Sequence, residues 1–205
     1  MKKLFLSLFL TLAASPAAAQ GDIDALLRRA AEGMKSTAAL ESVFVQEKQI
    51  PFLDVPLMAE GKLCFRVPQG GLPFVFWEYR SPARSGFQYE GGQVSLWSGE
   101  GSGKVASPTE KAFLSAMVEQ MLSWIAFDRE ALGKEYDLAS VEGSESSLLL
   151  TPKNRHPIFS AIVLEFSRDF TTLQSIRMTG HQGDTTLLTF HPQSRNASLS
   201  GDCRR

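Results

Sequence analysis

The stretch Gly61-Lys62-Leu63-Cys64-Phe65-Arg66-Val67-Pro68 reads as a β-strand with two unlike faces. Successive side chains of a strand point to opposite sides, so Leu63, Phe65 and Val67 share one face while Lys62, Cys64 and Arg66 share the other. The same period of two runs outward on both sides. Strands are predicted at about 41–50, 57–67, 73–80, 84–90 and 93–98, the last two folding back around Gly91-Gly92. In the third of these, Val75, Trp77 and Tyr79 oppose Phe74, Phe76 and Glu78. The second set is not polar throughout, so both sides of that strand are expected to be covered.

Before this run of strands, Asp22 is placed to cap a helix reaching Lys35, with Ile23, Leu26, Leu27, Ala30 and Met34 along one apolar stripe. After it, Gly99 to Gly103 reads as a flexible loop. A second helix opens at Thr109 and runs to about Phe127, or as far as Leu132, with Gly133 as its stop. Phe113, Leu114, Met117, Val118, Met121, Leu122, Trp124 and Ile125 give it a wide apolar face. Strands resume at about 135–142, 146–151, 160–168, 172–180 and 184–191, and the tail from Pro192 carries no strong pattern. The order helix, five strands, helix, five strands predicts an α+β protein: one strongly curved antiparallel sheet with helices on one side.

The start of the chain bears on where it works. Lys2 and Lys3 precede a short apolar run from Leu4 to Ala14, and Ala17-Ala18-Ala19 offers the small residues a signal peptidase reads. A permanent membrane span needs about 20 apolar residues. Residues 1–19 are therefore expected to be a cleavable signal peptide and residues 20–205 a single exported, soluble domain in the periplasm. The mature segment keeps 19 basic and 22 acidic residues, with no basic block to hold nucleic acid. Cys64 and Cys203 are the only cysteines, and an even pair in an exported protein favours a disulfide. Cys64 faces away from Leu63 and Phe65, where a returning C-terminal tail could meet it. Neither cysteine sits in a CxxC or beside a histidine, so redox catalysis and zinc are not indicated.

No catalytic constellation is legible. Ser98 to Lys104 resembles a phosphate-binding loop, but Ser98 stands where its first glycine belongs and Val105 follows the lysine. His156, His181 and His191 lie outside any nucleophile or metal motif, and His181 with Asp184 is expected to form an ordinary turn pair about Gly183. Glu142 and Glu145 read as a solvated turn. No catalytic residue, metal or cofactor is assigned. Met34, Met117 and Met121 suit either core filling or a surface that accepts variable apolar ligands.

Taken in order, several segments resemble the LolA-type outer-membrane lipoprotein carriers. Phe44-Val45-Gln46-Glu47-Lys48 is similar to the family's F-x-Q-K segment, and Gly61 to Pro68 to its G-x-L-x-x-x-R-P strand. Trp77-Glu78-Tyr79 with Pro82, then Gly92-Gln93-Val94-Ser95-Leu96-Trp97, resemble its W-x-x-x-x-P stretch and following hairpin. Leu148 to Lys153 resembles its L-x-P-K strand, and Ile162 to Phe166, Arg168-Asp169 and Gly183 through Phe190 resemble its last strands. The similarity spans nearly the whole mature chain. In one respect the chain departs: the family's latch arginine before the proline is replaced by Val67, while Arg66 lies one place earlier and faces the other side.

The resemblance implies an unclosed half-barrel covered by a helical lid, and a monomeric, non-enzymatic carrier of acylated lipoprotein or lipid cargo. Its donor would be an inner-membrane exporter of the ABC type and its acceptor an outer-membrane receptor. Leu63, Phe65, Val67, Val75, Trp77, Leu96, Leu148, Leu150, Ile162, Leu164 and Phe166 are the expected acyl-chain contacts from the sheet, with Met117 and Met121 from the lid. The same residues could equally form a closed core. The alternative function is a periplasmic lipid-sensing regulatory module of the same fold; the second domain or anchor typical of such sensors is not read in this sequence.

Overall fold

A computed structural model describes residues 16–67, 73–99, 104–127 and 129–203. Among the described residues, eleven antiparallel strands form one sheet in the order β6-β5-β4-β3-β2-β1-β11-β10-β9-β8-β7. The first six are β1 (Ala39–Gln49), β2 (Leu57–Arg66), β3 (Phe74–Ser81), β4 (Ser85–Glu90), β5 (Gln93–Ser98) and β6 (Lys104–Val105). The other five are β7 (Tyr136–Ser140), β8 (Ser147–Pro152), β9 (Phe159–Phe166), β10 (Leu173–Gly180) and β11 (Thr185–Arg195). The chain meanders outward from β1 to one edge, crosses through α2 (Pro108–Ala126) and α3 (Arg129–Glu135) to the other edge, and meanders back to pair β11 with β1. A helical connection between opposite edges must lie across one face of the sheet. The edges β6 and β7 are not paired with each other, so the sheet stays open.

The ten expected strands recur with shifted ends, and β6 adds a short eleventh strand before α2, where the sequence pattern predicts only five. The first helix, α1 (Pro16–Lys35), begins six residues before Asp22, which therefore lies within it and is not its cap. Residues 16–19 of the expected signal peptide belong to this helix, and residues 1–15 lie outside the described residues. The second predicted helix is divided. Phe127 adopts a left-handed conformation (φ 50°) that closes α2, and α3 follows with Gly133 inside it instead of ending it. At the other end of α2, Ser107 and Glu110 form a reciprocal capping box. Hydrogen bonds from the Ser107 backbone and hydroxyl, and then Lys104, push the Glu110 carboxyl down to about 2.

Two close approaches require glycine. Gly61 is registered opposite Phe44, whose ring occupies the space a side chain would need. The freed space lets the Phe44 ring lie tilted against Trp77, with centroids 4.4 Å apart, and edge-on to Tyr79. Gly33 brings α1 against the backbone of Phe170, so α1 sits directly on the β9–β10 turn.

Both faces of the central strands are covered, as the pattern of β3 predicts. Leu63, Phe65, Val75 and Trp77 enter the main core beneath α1 and α2. Cys64, Phe74, Phe76 and Trp97 form a second cluster on the opposite face, closed by Leu199 and Cys203 of the tail. The tail from Pro192 is therefore structured: β11 continues to Arg195 past a bulge opposite Glu41 and Ser42, and residues 196–203 strap the outer face.

Candidate lipid-binding site

Ten of the expected acyl contacts fall in one continuous apolar cluster: Leu63, Phe65, Val75, Trp77, Met121, Leu148, Leu150, Ile162, Leu164 and Phe166. Leu96 packs against it, partly buried. Alternation along each strand delivers these side chains to the same face, and the stripe Ile23, Leu26, Leu27, Ala30 and Met34 of α1 covers them together with Val118 and Trp124 of α2. Among the described residues these side chains are closely packed. Between Met34, Leu40, Leu63, Leu173 and Phe190 only a gap of about 10 Å³ remains.

Two expected contacts lie elsewhere. Val67 is expected beside Leu63 and Phe65, but β2 ends at Arg66, and Val67 is 41% exposed with its N–H bonded to the Ala38 carbonyl. It borders a recess on the tail side with Arg66, Phe74, Asn196 and Leu199. The alternation fails there because the chain leaves the strand. Met117 is 37% exposed, on a flank of α2 that does not face the sheet.

Met117 does belong to a cleft. Phe113, Ala116, Met117, Leu132, Pro157 and Ile158 give apolar walls to an opening of about 500 Å³ between α2, α3 and the segment before β9. This volume lies within the ~300–1,000 Å³ typical of ligand sites. Glu119, Gln120, Ser123, Glu135 and His156 supply its polar groups. Gln120 donates to the Tyr136 hydroxyl (2.5 Å), tying α2 to β7. Burial pushes the Tyr136 hydroxyl above its usual range, with the charge of Glu135 adding to the rise and the bond from Gln120 opposing it. His156 stacks on Phe159 with ring centroids 3.6 Å apart, and its Nδ1 accepts the Ile158 N–H (3.2 Å). Burial first, then neighbouring His181, lowers the His156 imidazole below its usual value, against the pull of Glu135. No local pattern of residues announces this cleft, since its walls come from segments about forty residues apart that α2 and α3 bring together.

The expected turn pair of His181 and Asp184 is replaced by other contacts. His181 Nε2 meets the His156 carbonyl at 2.7 Å, and Asp184 lies 3.8 Å from Lys48. On the outer face Cys64 and Cys203 are joined across 139 residues, with Cα atoms 5.9 Å apart. Glu41 stands beside them, but with both sulfurs bonded to each other the trio offers no metal site. Among the described residues no helix is long and apolar enough to cross a membrane.

The chain thus folds as an open single-sheet half-barrel whose helix-covered face is lined largely by apolar side chains, with a cleft opening beside the covering helix. The chain belongs to the family of the outer membrane lipoprotein carrier protein LolA, which it matches over residues 35–203. No curated protein sequence matches it. Among solved structures, MucB is similar over 89% of this chain and 62% of its own, at 17% identity and a TM-score of 0.55. The Pseudomonas aeruginosa MucA/MucB complex is similar over 90% of this chain and 61% of that one, at 18% identity and a TM-score of 0.51. The chain thus spans about three-fifths of the MucB chain. The Mycobacterium tuberculosis lipoprotein LppX is similar over 91% of this chain and 99% of its own, at 14% identity and a TM-score of 0.46.

Proposed function

We propose that this protein is a periplasmic carrier, freed of residues 1–19 on export, that shields the acyl chains of lipoproteins or a related lipid and moves them from the inner towards the outer membrane. The observation that carries this reading is the apolar cleft of about 500 Å³ opening beside a filled interior, in a chain of the lipoprotein-carrier family. Each methylene withdrawn from water contributes about 0.8 kcal/mol, so a sixteen-carbon chain left exposed costs roughly 12 kcal/mol. Such cargo needs cover in an aqueous compartment. The cover must also be reversible, and apolar contact is non-directional: an acyl chain entering beside Met117 can replace the contacts of Val118, Met121 and Trp124 with the sheet at little net cost. Phe113 and Met117 receive the chain in the cleft, while Leu63, Phe65, Trp77 and their neighbours accept it as α2 moves aside. An inner-membrane ABC-type exporter would load the carrier and an outer-membrane acceptor would unload it. No catalytic step is assigned.

Mass spectrometry of the protein recovered from the periplasm tests this reading. Co-purifying acylated lipoprotein or lipid, displaced by an added fluorescent acyl probe, is the expected result. A chain that emerges empty and takes up no acyl probe rules the carrier out.

A further inference from the structure

The β1–β2 hairpin ends in Ile50-Pro51-Phe52-Leu53-Asp54-Val55-Pro56-Leu57-Met58, a connection made almost wholly of apolar residues. Phe52 is 82% exposed and Val55 71%, with Leu53, Leu57 and Met58 also in solvent. Hairpin connections are ordinarily polar, and large apolar side chains gathered at one exposed place mark a contact surface. We propose that this tip, residues 50–58, enters the headgroup region of a lipid bilayer.

Two observations favour a bilayer over a protein partner, and a third sets the depth of insertion. First, the apolar residues surround the tip. Leu57 and Met58 are consecutive in β2 and so point to opposite faces, yet both are half exposed. A protein partner covers one side of a hairpin, whereas a bilayer immerses all sides. Second, part of the tip's backbone does not depend on water. Pro51 and Pro56 have no N–H to leave unpaired, the Leu53 N–H donates to the Ile50 carbonyl (2.9 Å), and the Leu53 carbonyl accepts from the Gln49 side chain (3.2 Å). Unsatisfied backbone groups are what exclude most loops from lipid. Third, Asp54 is the single charged residue between Gln49 and Ala59. One carboxylate among the apolar side chains limits insertion to the interface, where it can stay hydrated, and gives no electrostatic attraction to anionic lipid. At the base of the hairpin Lys48 lies 3.8 Å from Asp184, tying the projection to the β10–β11 turn.

Flotation of the cargo-free full chain with vesicles tests the proposal, using phosphatidylcholine alone and phosphatidylcholine containing phosphatidylglycerol. Binding to both, little changed by molar salt, is expected. Replacing Phe52 and Val55 together by Ser should weaken it about a hundredfold, since each side chain contributes at least about a tenfold factor on burial. Both are exposed, so circular dichroism and thermal unfolding should stay as in the parent. Asp54→Asn should tighten binding. The proposal is overturned by failure to float, by flotation that the double variant retains, or by binding that salt abolishes. It is also overturned if the tip binds only a protein and no vesicle.

Discussion

The side-chain oxygen of Asn196, just past the end of β11, accepts a hydrogen bond from the amide of Ala38 (2.7 Å), just before the start of β1. The same side chain also accepts from the Ala39 amide (3.3 Å) and donates to the Ser36 carbonyl, and the Thr37 hydroxyl donates to the Thr171 carbonyl (2.9 Å). The exit of α1 is thus clasped to the sheet by polar contacts whose geometry fixes it. Helix α2 instead meets the sheet through Val118, Met121 and Trp124, with Gln120 bonded to Tyr136. Of the two covering helices, α1 is held to the sheet by polar contacts as well as apolar ones, and α2 chiefly by apolar ones.

Asn196 has φ 56°, a left-handed conformation that glycine adopts freely and alanine does not. Asn196→Gly should therefore isolate the lost hydrogen bonds, at about 1–3 kcal/mol, while Asn196→Ala should lose about 1 kcal/mol more. Denaturant unfolding gives the magnitudes. Hydrogen exchange should rise at residues 36–40 and stay unchanged across 108–126; a rise in α2 would mean that the two helices move as one.

The buried pairs on the outer face make stability depend on acid. Burial raises the Glu41 carboxyl, but hydrogen bonds from Lys62 and Ser200 outweigh it and hold the group below its ordinary value of 4.5. Glu78 is held below 4.5 in the same way, with Arg84 and Arg80 overcoming its burial. A depressed carboxyl contributes stability in full above the unfolded value, and that contribution is lost as pH falls through the folded one. The contribution of these two carboxyls to the unfolding midpoint should be flat above about pH 5 and fall below pH 4.5. The slope should shrink when Glu41 and Glu78 are both changed to Gln. At neutral pH, Lys62→Met leaves Glu41 buried without its cation and should cost about 3 kcal/mol.

The Cys64–Cys203 bond closes a loop of 139 residues, so its loss should release the denatured chain and cost about 2–4 kcal/mol. Cys203→Ser should also loosen the strap over Phe74, Phe76 and Trp97, detected as greater quenching of Trp97 fluorescence by added iodide. Thiol labelling of the denatured, unreduced protein should find no reactive cysteine. Two labelled thiols per chain would remove the bridge from the exported form.

The sheet was legible because its alternation is strict: Leu63 and Phe65 against Lys62 and Cys64 already place a core on one side and a cover on the other. The break between α2 and α3 was not. Apolar residues keep helical spacing through Leu132, and nothing in a phenylalanine announces the left-handed turn at Phe127. The reach of β11 was hidden by Pro192, which stands next to a bulge, and the role of Asn196 by a tail with no periodicity. For the site, sequence supplied the apolar face but not its state. Whether Trp77 lines a cavity or fills a core depends on how closely α1 and α2 approach, and that is set by contacts such as Gly33 on Phe170.

A charge placed in the filled interior and one placed in the cleft should therefore behave differently. Phe65 is fully buried, and Phe65→Glu would put an unpaired carboxylate against Leu63, Val75 and Trp77, at a cost of several kcal/mol. A steep loss of stability is expected, with ligand binding lost through the fold. Met117 borders water, so Met117→Glu can keep its carboxylate hydrated and should leave thermal unfolding within about 0.5 kcal/mol of the parent. Uptake of a fluorescent acyl probe should nonetheless fall, because the new charge joins Glu119 and Glu135 beside an apolar path. Phe113→Glu, on the same wall and 59% exposed, should act in the same way. Titration of the probe against the three variants, alongside their unfolding curves, separates the two effects. Full uptake by both Met117→Glu and Phe113→Glu would remove the cleft from the path of the acyl chain. A stable Phe65→Glu protein that still folds but no longer loads would mean the interior opens far more readily than its packing indicates.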